Sequence, residues 1–143
     1  MTKRQRVVAA LEGRMEAIDR PPASVWYHFG TQFMHGRAAA DTAVAFFRHY
    51  DFDFLKMMND YPWPTPAGLS SIDTPEDLAR FGPLTMDEPS FREQLAALSR
   101  ACRLVGRDAV VIDTVFNPYG IARRTLKRRT AGFMKESPER FVD

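Results

Sequence analysis

The chain has 143 residues, 45% of them hydrophobic and 27% charged, with a net charge of +2. Those proportions exclude a disordered chain, and so small a charge does not by itself demand an anionic partner. The single Cys102 excludes an internal disulfide and a cysteine-based metal cluster within the chain. Val7-Val8-Ala9-Ala10-Leu11 is too short for a signal-peptide core and runs straight into Glu12, and no apolar run is long enough to span a membrane, so a soluble, cytoplasmic chain is expected.

In chain order, a first helix is predicted from about Lys3, capped by Thr2, with Val7, Val8 and Leu11 on its inner face and Gly13 just past its end. Arg20-Pro21-Pro22 forbids helix and leads into Ala23–Tyr27, read as a strand. Ala43, Phe46, Phe47 and Tyr50 then recur at helical spacing. The apolar run Asp53–Met58 follows as a second strand and ends at Asn59-Asp60. Pro62, Pro64, Pro66 and Gly68 make a long irregular excursion of the kind that is usually functional or disordered.

Thr74-Pro75-Glu76-Asp77 opens a helix with a hydroxyl cap, proline at the first position and a carboxylate three residues on, and Gly82-Pro83 closes it. A longer helix runs from about Pro89 to Gly106, with Phe91, Leu95, Leu98 and Cys102 as its apolar stripe. Ala109–Val115 reads as the third strand. Asn117-Pro118-Tyr119-Gly120 turns out of it, Ile121 to about Thr130 forms the next helix, and Ser137-Pro138-Glu139 begins another, close to where the sequence stops.

Three near-continuous apolar strands separated by helices imply an α/β fold, with a parallel sheet covered on both faces. In such sheets chemistry gathers at the carboxyl ends of the strands, which singles out Asp60. Asn-Asp before proline is also ordinary turn chemistry, so a loop-forming role stands beside the functional one. Arg123, Arg124, Lys127, Arg128 and Arg129 lack interleaved aromatic residues and read as the solvated face of a helix, not a nucleic-acid stripe.

Several of these blocks together resemble the uroporphyrinogen decarboxylase superfamily. Arg6-Val7-Val8-Ala9-Ala10-Leu11-Glu12-Gly13, Asp19-Arg20-Pro21-Pro22 and Val25-Trp26 are similar to its amino terminus. Tyr50–Lys56 with Asn59-Asp60 resembles its second barrel strand and that strand's end. Val111–Tyr119 resembles the third strand with its turn, and Ser137-Pro138-Glu139 the opening of the next helix. The resemblance covers nearly the whole chain in order and implies a single region, 1–143, forming the amino-terminal portion of a (β/α)8 barrel. Such barrels take about 250 residues, so three of the eight strands are expected, with their flanking helices.

The resemblance also implies a chemistry. The family's decarboxylases remove carboxylates from a tetrapyrrole without a cofactor, using a protonated pyrrole as electron sink and a carboxylate to stabilise the cation. Asp60 matches that aspartate. The family's two first-loop arginines, which grip substrate carboxylates, are absent: Tyr27-His28-Phe29-Gly30-Thr31-Gln32 stands there. His28 and Arg37 are the nearest cationic candidates for substrate binding, and Asn117 and Tyr119 are candidates after the third strand.

The departure brings forward the superfamily's corrinoid-linked methyltransferases, whose zinc binds a thiolate acceptor and takes its ligands from later strands. His28, His35 and His49 are scattered, so no metal is expected in this chain. A third reading is a truncated, non-catalytic chain. A partial barrel leaves sheet edges open, so self-association or a complementary chain is expected, and the 143 residues alone are expected to be inactive.

Overall fold

The computed structural model describes residues 1–141. It falls into two compact units, Met1–Pro62 with Pro89–Thr114 and Trp63–Glu88 with the chain from Val115 onward. Helices and parallel strands are mixed, as expected of an α/β protein. Among the described residues no helix is long and apolar enough to cross a membrane.

The first unit opens with α1 (Lys3–Leu11). Thr2 and Gln5 form a reciprocal capping box there, which satisfies two otherwise unpaired N–H groups at the helix start. Its buried face is Arg6, Val7 and Ala9 rather than the expected Val7, Val8 and Leu11, and Leu11 is 77% exposed. An arginine takes the inward position because carboxylates wait for it there.

Helix α2 (Gly36–His49) leads into β1 (Phe54–Lys56), and α4 (Pro89–Val105) leads into β2 (Val110–Ile112). The strands run parallel with Leu55 opposite Val111. The core joins Ala40, Ala43, Val44 and Phe47 of α2 with Ala97, Ala101 and Val105 of α4 over Leu55, Met57 and Ala109.

Two helical faces differ from expectation. Tyr50 is exposed, and α4 buries Gln94, Ala97, Ala101 and Val105 while Leu95 and Cys102 face outward. The reason is proximity: a Cβ added at Gly36 would lie 2.1 Å from the Glu93 carbonyl oxygen. Helices whose backbones approach that closely admit only small side chains between them, so an alanine stripe outcompetes a leucine one.

The expected strand Ala23–Tyr27 does not form. The segment runs beside Asp53 and Phe54, but side chains capture its ladder groups. Ala23 N–H donates to the Asp53 carboxylate at 2.8 Å, and Ser24 Oγ donates to Phe54 O at 2.7 Å, leaving one backbone bond from Asp53 N to Ala23 O. The other two strands are shorter than Asp53–Met58 and Ala109–Val115. One further backbone bond, Met57 N to Ile112 O, extends the pairing. It stops where Thr114 N–H turns to Asp113 Oδ1.

In the second unit, α3 (Pro75–Ala79) carries the expected box between Thr74 and Asp77. Helix α5 (Pro118–Leu126) starts three residues before the expected Ile121, because Asn117 accepts from Gly120 N–H and Pro118 occupies the first turn. After a 3-10 turn at Lys127–Arg129 the chain continues as α6 (Thr130–Glu136). Ser137-Pro138-Glu139 gives way to a 3-10 turn, Pro138–Phe141. Ile72, Leu126 and Phe133 form this unit's core, and the basic residues 123, 124 and 127–129 are exposed.

Candidate functional site at the carboxyl ends of the strands

Asp60 follows β1 by four residues, and its side chain is only 12% exposed. Gly30 adopts φ +70, which turns the chain so that His28 and Thr31 reach the same carboxylate. His28 Nδ1 lies 2.8 Å from Oδ1, and Thr31 Oγ1 donates to Oδ2 at 3.0 Å. A carboxylate only accepts, so His28 carries a hydrogen on Nδ1 whether neutral or cationic. Tyr61, the next residue, donates to Met34 O at 2.9 Å and ties the loop down. Burial, followed by the nearby Glu93, pushes the Tyr61 phenol above its usual pKa.

The expected site residues separate accordingly. His28 and Asp60 are brought together. Arg37 is exposed on α2 and pairs with no acid among the described residues. Within the second unit, the Asn117 side chain is committed to capping α5, and Tyr119 is exposed in that helix's first turn.

Lys56 was not singled out from the sequence, though a charged residue inside an apolar run is a readable signal. It is the last residue of β1 and half-buried. Its ammonium donates to Thr114 Oγ1 and stands 5.5 Å from the centre of the Trp26 ring. No carboxylate pairs with it among the described residues. Beside it, Gln94 Nε2 donates to Asp113 Oδ2 at 2.9 Å, while Gln94 Oε1 is buried without a hydrogen-bond partner. A cleft holding about 20 Å³ of space is lined by Lys56, Gln94, Thr31, Tyr61, Trp26 and several further aromatic side chains.

The amino ends of the strands are different in kind. Asp53, 1% exposed, accepts from Arg6 at 2.6 Å, from Arg20 at 2.5 and 2.9 Å and from Ala23 N–H. Arg6 also grips Asp19 with two bonds of 2.7 and 2.8 Å. Burial pushes the Asp53 carboxyl up, but Arg20, the Ala23 N–H and Arg6 together outweigh it and hold the pKa below the usual range. Arg6 likewise holds Asp19 far below that range. Every acceptor there is satisfied and charge is matched, which is the chemistry of a structural clamp. The carboxyl ends instead hold an unpaired ammonium, an orphaned amide oxygen and a carboxylate with lone pairs to spare.

His28, His35 and His49 are all exposed, and no group of three or more His, Cys, Asp or Glu among the described residues is arranged to hold a metal ion. Comparison with protein-family models, characterised proteins and solved structures finds no significant match to this chain.

Proposed function

We propose that the chain is the amino-terminal portion of a barrel of the uroporphyrinogen decarboxylase superfamily and carries, in Asp60, the carboxylate of a cofactor-independent tetrapyrrole decarboxylation. The observation that supports this most is Asp60 itself, shielded beyond the end of β1 and oriented by His28 and Thr31. Each Asp60 oxygen accepts one protein hydrogen bond and keeps lone-pair capacity for a pyrrole N–H. As the ring is protonated and the carbon–carboxylate bond releases its electrons into it, a fixed anion stabilises the developing cation without reorganising.

A second reading, the corrinoid-linked methyltransferases, is favoured by one feature: no arginine stands in the segment from Tyr27 to His35. Among the described residues no group of three or more His, Cys, Asp or Glu is arranged to hold the zinc such an enzyme uses.

The test is Asp60-dependent binding of a macrocycle by the chain. Tryptophan emission is followed during titration with uroporphyrin, with coproporphyrin, which has fewer carboxylates, and with hydroxocobalamin. Saturable quenching by a porphyrin, weakened about 10-fold or more in Asp60→Asn at an unchanged melting temperature, is the expected result. Quenching by hydroxocobalamin alone would select the methyltransferase reading. A folded chain that responds to none of the three defeats both.

A further inference from the structure

We infer that Lys56 and Gln94 form a subsite for a small carboxylate that also bears an N–H or O–H donor, such as a 2-hydroxy acid or the acid arm of a larger ligand. The inference stands on different residues from Asp60 and does not rest on the decarboxylase reading.

Lys56 supplies the anion contact. A lysine removed from bulk water is normally met by a carboxylate, because a half-buried ammonium without one gives up hydration and gains little in return. Here its contacts are the Thr114 hydroxyl, a 3.5 Å approach to Met57 O and the face of Trp26. A hydroxyl and a ring face hold the ammonium in place without neutralising it. Thr114 follows β2 by two residues, so both strand ends position this one cation.

Gln94 supplies the second contact and the polarity of the ligand. Asp113 can only accept, so it draws Nε2 towards itself and fixes which way the amide lies. That leaves Oε1 as an acceptor inside a side chain 7% exposed, with nothing to accept from. Native proteins rarely leave such an atom unsatisfied, since the desolvation penalty is about 1–3 kcal/mol. Gln94 and Lys56 line the same cleft. The cleft thus offers a donor cation at Lys56, while the unsatisfied Gln94 acceptor is itself closed off, so a ligand with an anionic oxygen next to an O–H satisfies both once the Gln94 side chain turns towards it. Trp26 and its aromatic neighbours stand around this polar corner of the cleft.

The experiment uses Trp26 as reporter in a Trp63→Phe background, which leaves it the only tryptophan. Acetate, glycolate and uroporphyrin are titrated separately at constant ionic strength. Glycolate is expected to give a saturable change and to bind at least about 5-fold tighter than acetate. Lys56→Met should weaken glycolate about 10-fold or more. Gln94→Met should bring glycolate down to the acetate level without changing acetate. The melting temperature of Lys56→Met should stay level or rise, since an unpaired charge is removed. A response to uroporphyrin but to neither small acid, lost in Lys56→Met and retained in Asp60→Asn, would assign the subsite to an acid arm of a larger ligand. A folded parent with no Lys56-dependent response overturns the inference, as does a Lys56→Met variant that binds normally or melts several degrees lower. Failure of porphyrin binding with glycolate binding intact would remove the decarboxylase reading alone.

Discussion

Asp53 and Asp60 are both carboxylates of one short stretch, and their environments assign them opposite work. Asp53 meets two guanidinium groups and a backbone N–H in a dry setting, so removing its charge leaves cations without a partner. Asp53→Asn is expected to destabilise the chain by about 3 kcal/mol, read from urea unfolding. The same carboxyl has a pKa below the unfolded value of about 3.9. Its stabilisation is therefore complete above that pH and is lost as pH falls below it, towards the depressed folded value. The parent should lose stability steeply below about pH 4, and Asp53→Asn should show a shallower slope there. Equal slopes would mean that Asp53 is not the group that titrates. Asp60 was legible in the sequence because an acid directly after an apolar run is conspicuous. Its partners were not, because a turn at Gly30, invisible to hydrophobic periodicity, brings His28 and Thr31 round to it.

Element positions were largely legible, and the faces they bury were less so. Caps at Thr2 and Thr74 could be read directly, since a hydroxyl before a helix satisfies N–H groups by local geometry alone. The stripe on α4 could not, because side-chain size points to the larger apolar residues, whereas the distance between α2 and α4 decides which face is buried. Gly36→Ala tests that account. The new methyl meets the Glu93 carbonyl and the Ala97 backbone nitrogen, neither of which can rotate away. A loss of about 1–3 kcal/mol is expected by urea unfolding, in the direction opposite to alanine's usual advantage over glycine in a helix. A stabilised variant would show that the two helices have room to separate. The missing strand at Ala23–Tyr27 follows the same lesson: composition favoured extended chain, and extended chain is there, but Asp53 and Ser24 take the hydrogen bonds that would have made it a strand.

At the scale of the molecule, the unit that contains both strands divides its polar chemistry by strand polarity. Matched charges stand at the amino ends, and unmatched donors and acceptors at the carboxyl ends. That division is what a parallel α/β scaffold predicts when stability and function are separated along the strand axis. It was foreseeable in outline from the strand pattern. The identity of the unmatched groups was not, since Lys56 and Gln94 lie 38 positions apart and line one cleft only because the fold brings α4 beside β1. On the barrel reading, the 143-residue chain alone should turn over no tetrapyrrole and should associate, because an active site at a barrel mouth draws on several further strands and an unclosed sheet keeps an unpaired edge. Light scattering and porphyrin chromatography check the two parts. A monomer that decarboxylates a tetrapyrrole would defeat them.

The hydroxyl of Ser24 has a wider reach than its bond to Phe54 O suggests. Backbone groups along a strand address alternate edges, so with Met57 N–H directed to β2 the Phe54 carbonyl addresses the other side, where Ser24 already occupies it. The small sheet can therefore widen in one direction only, beyond Val110–Ile112. A strand that pairs directly with this two-stranded sheet enters there, whereas on the other side a strand would pair with the Ala23–Tyr27 segment, as closure of a barrel requires. A serine beside one carbonyl thus acts as a lateral stop, giving a two-stranded ribbon a closed side and an open side.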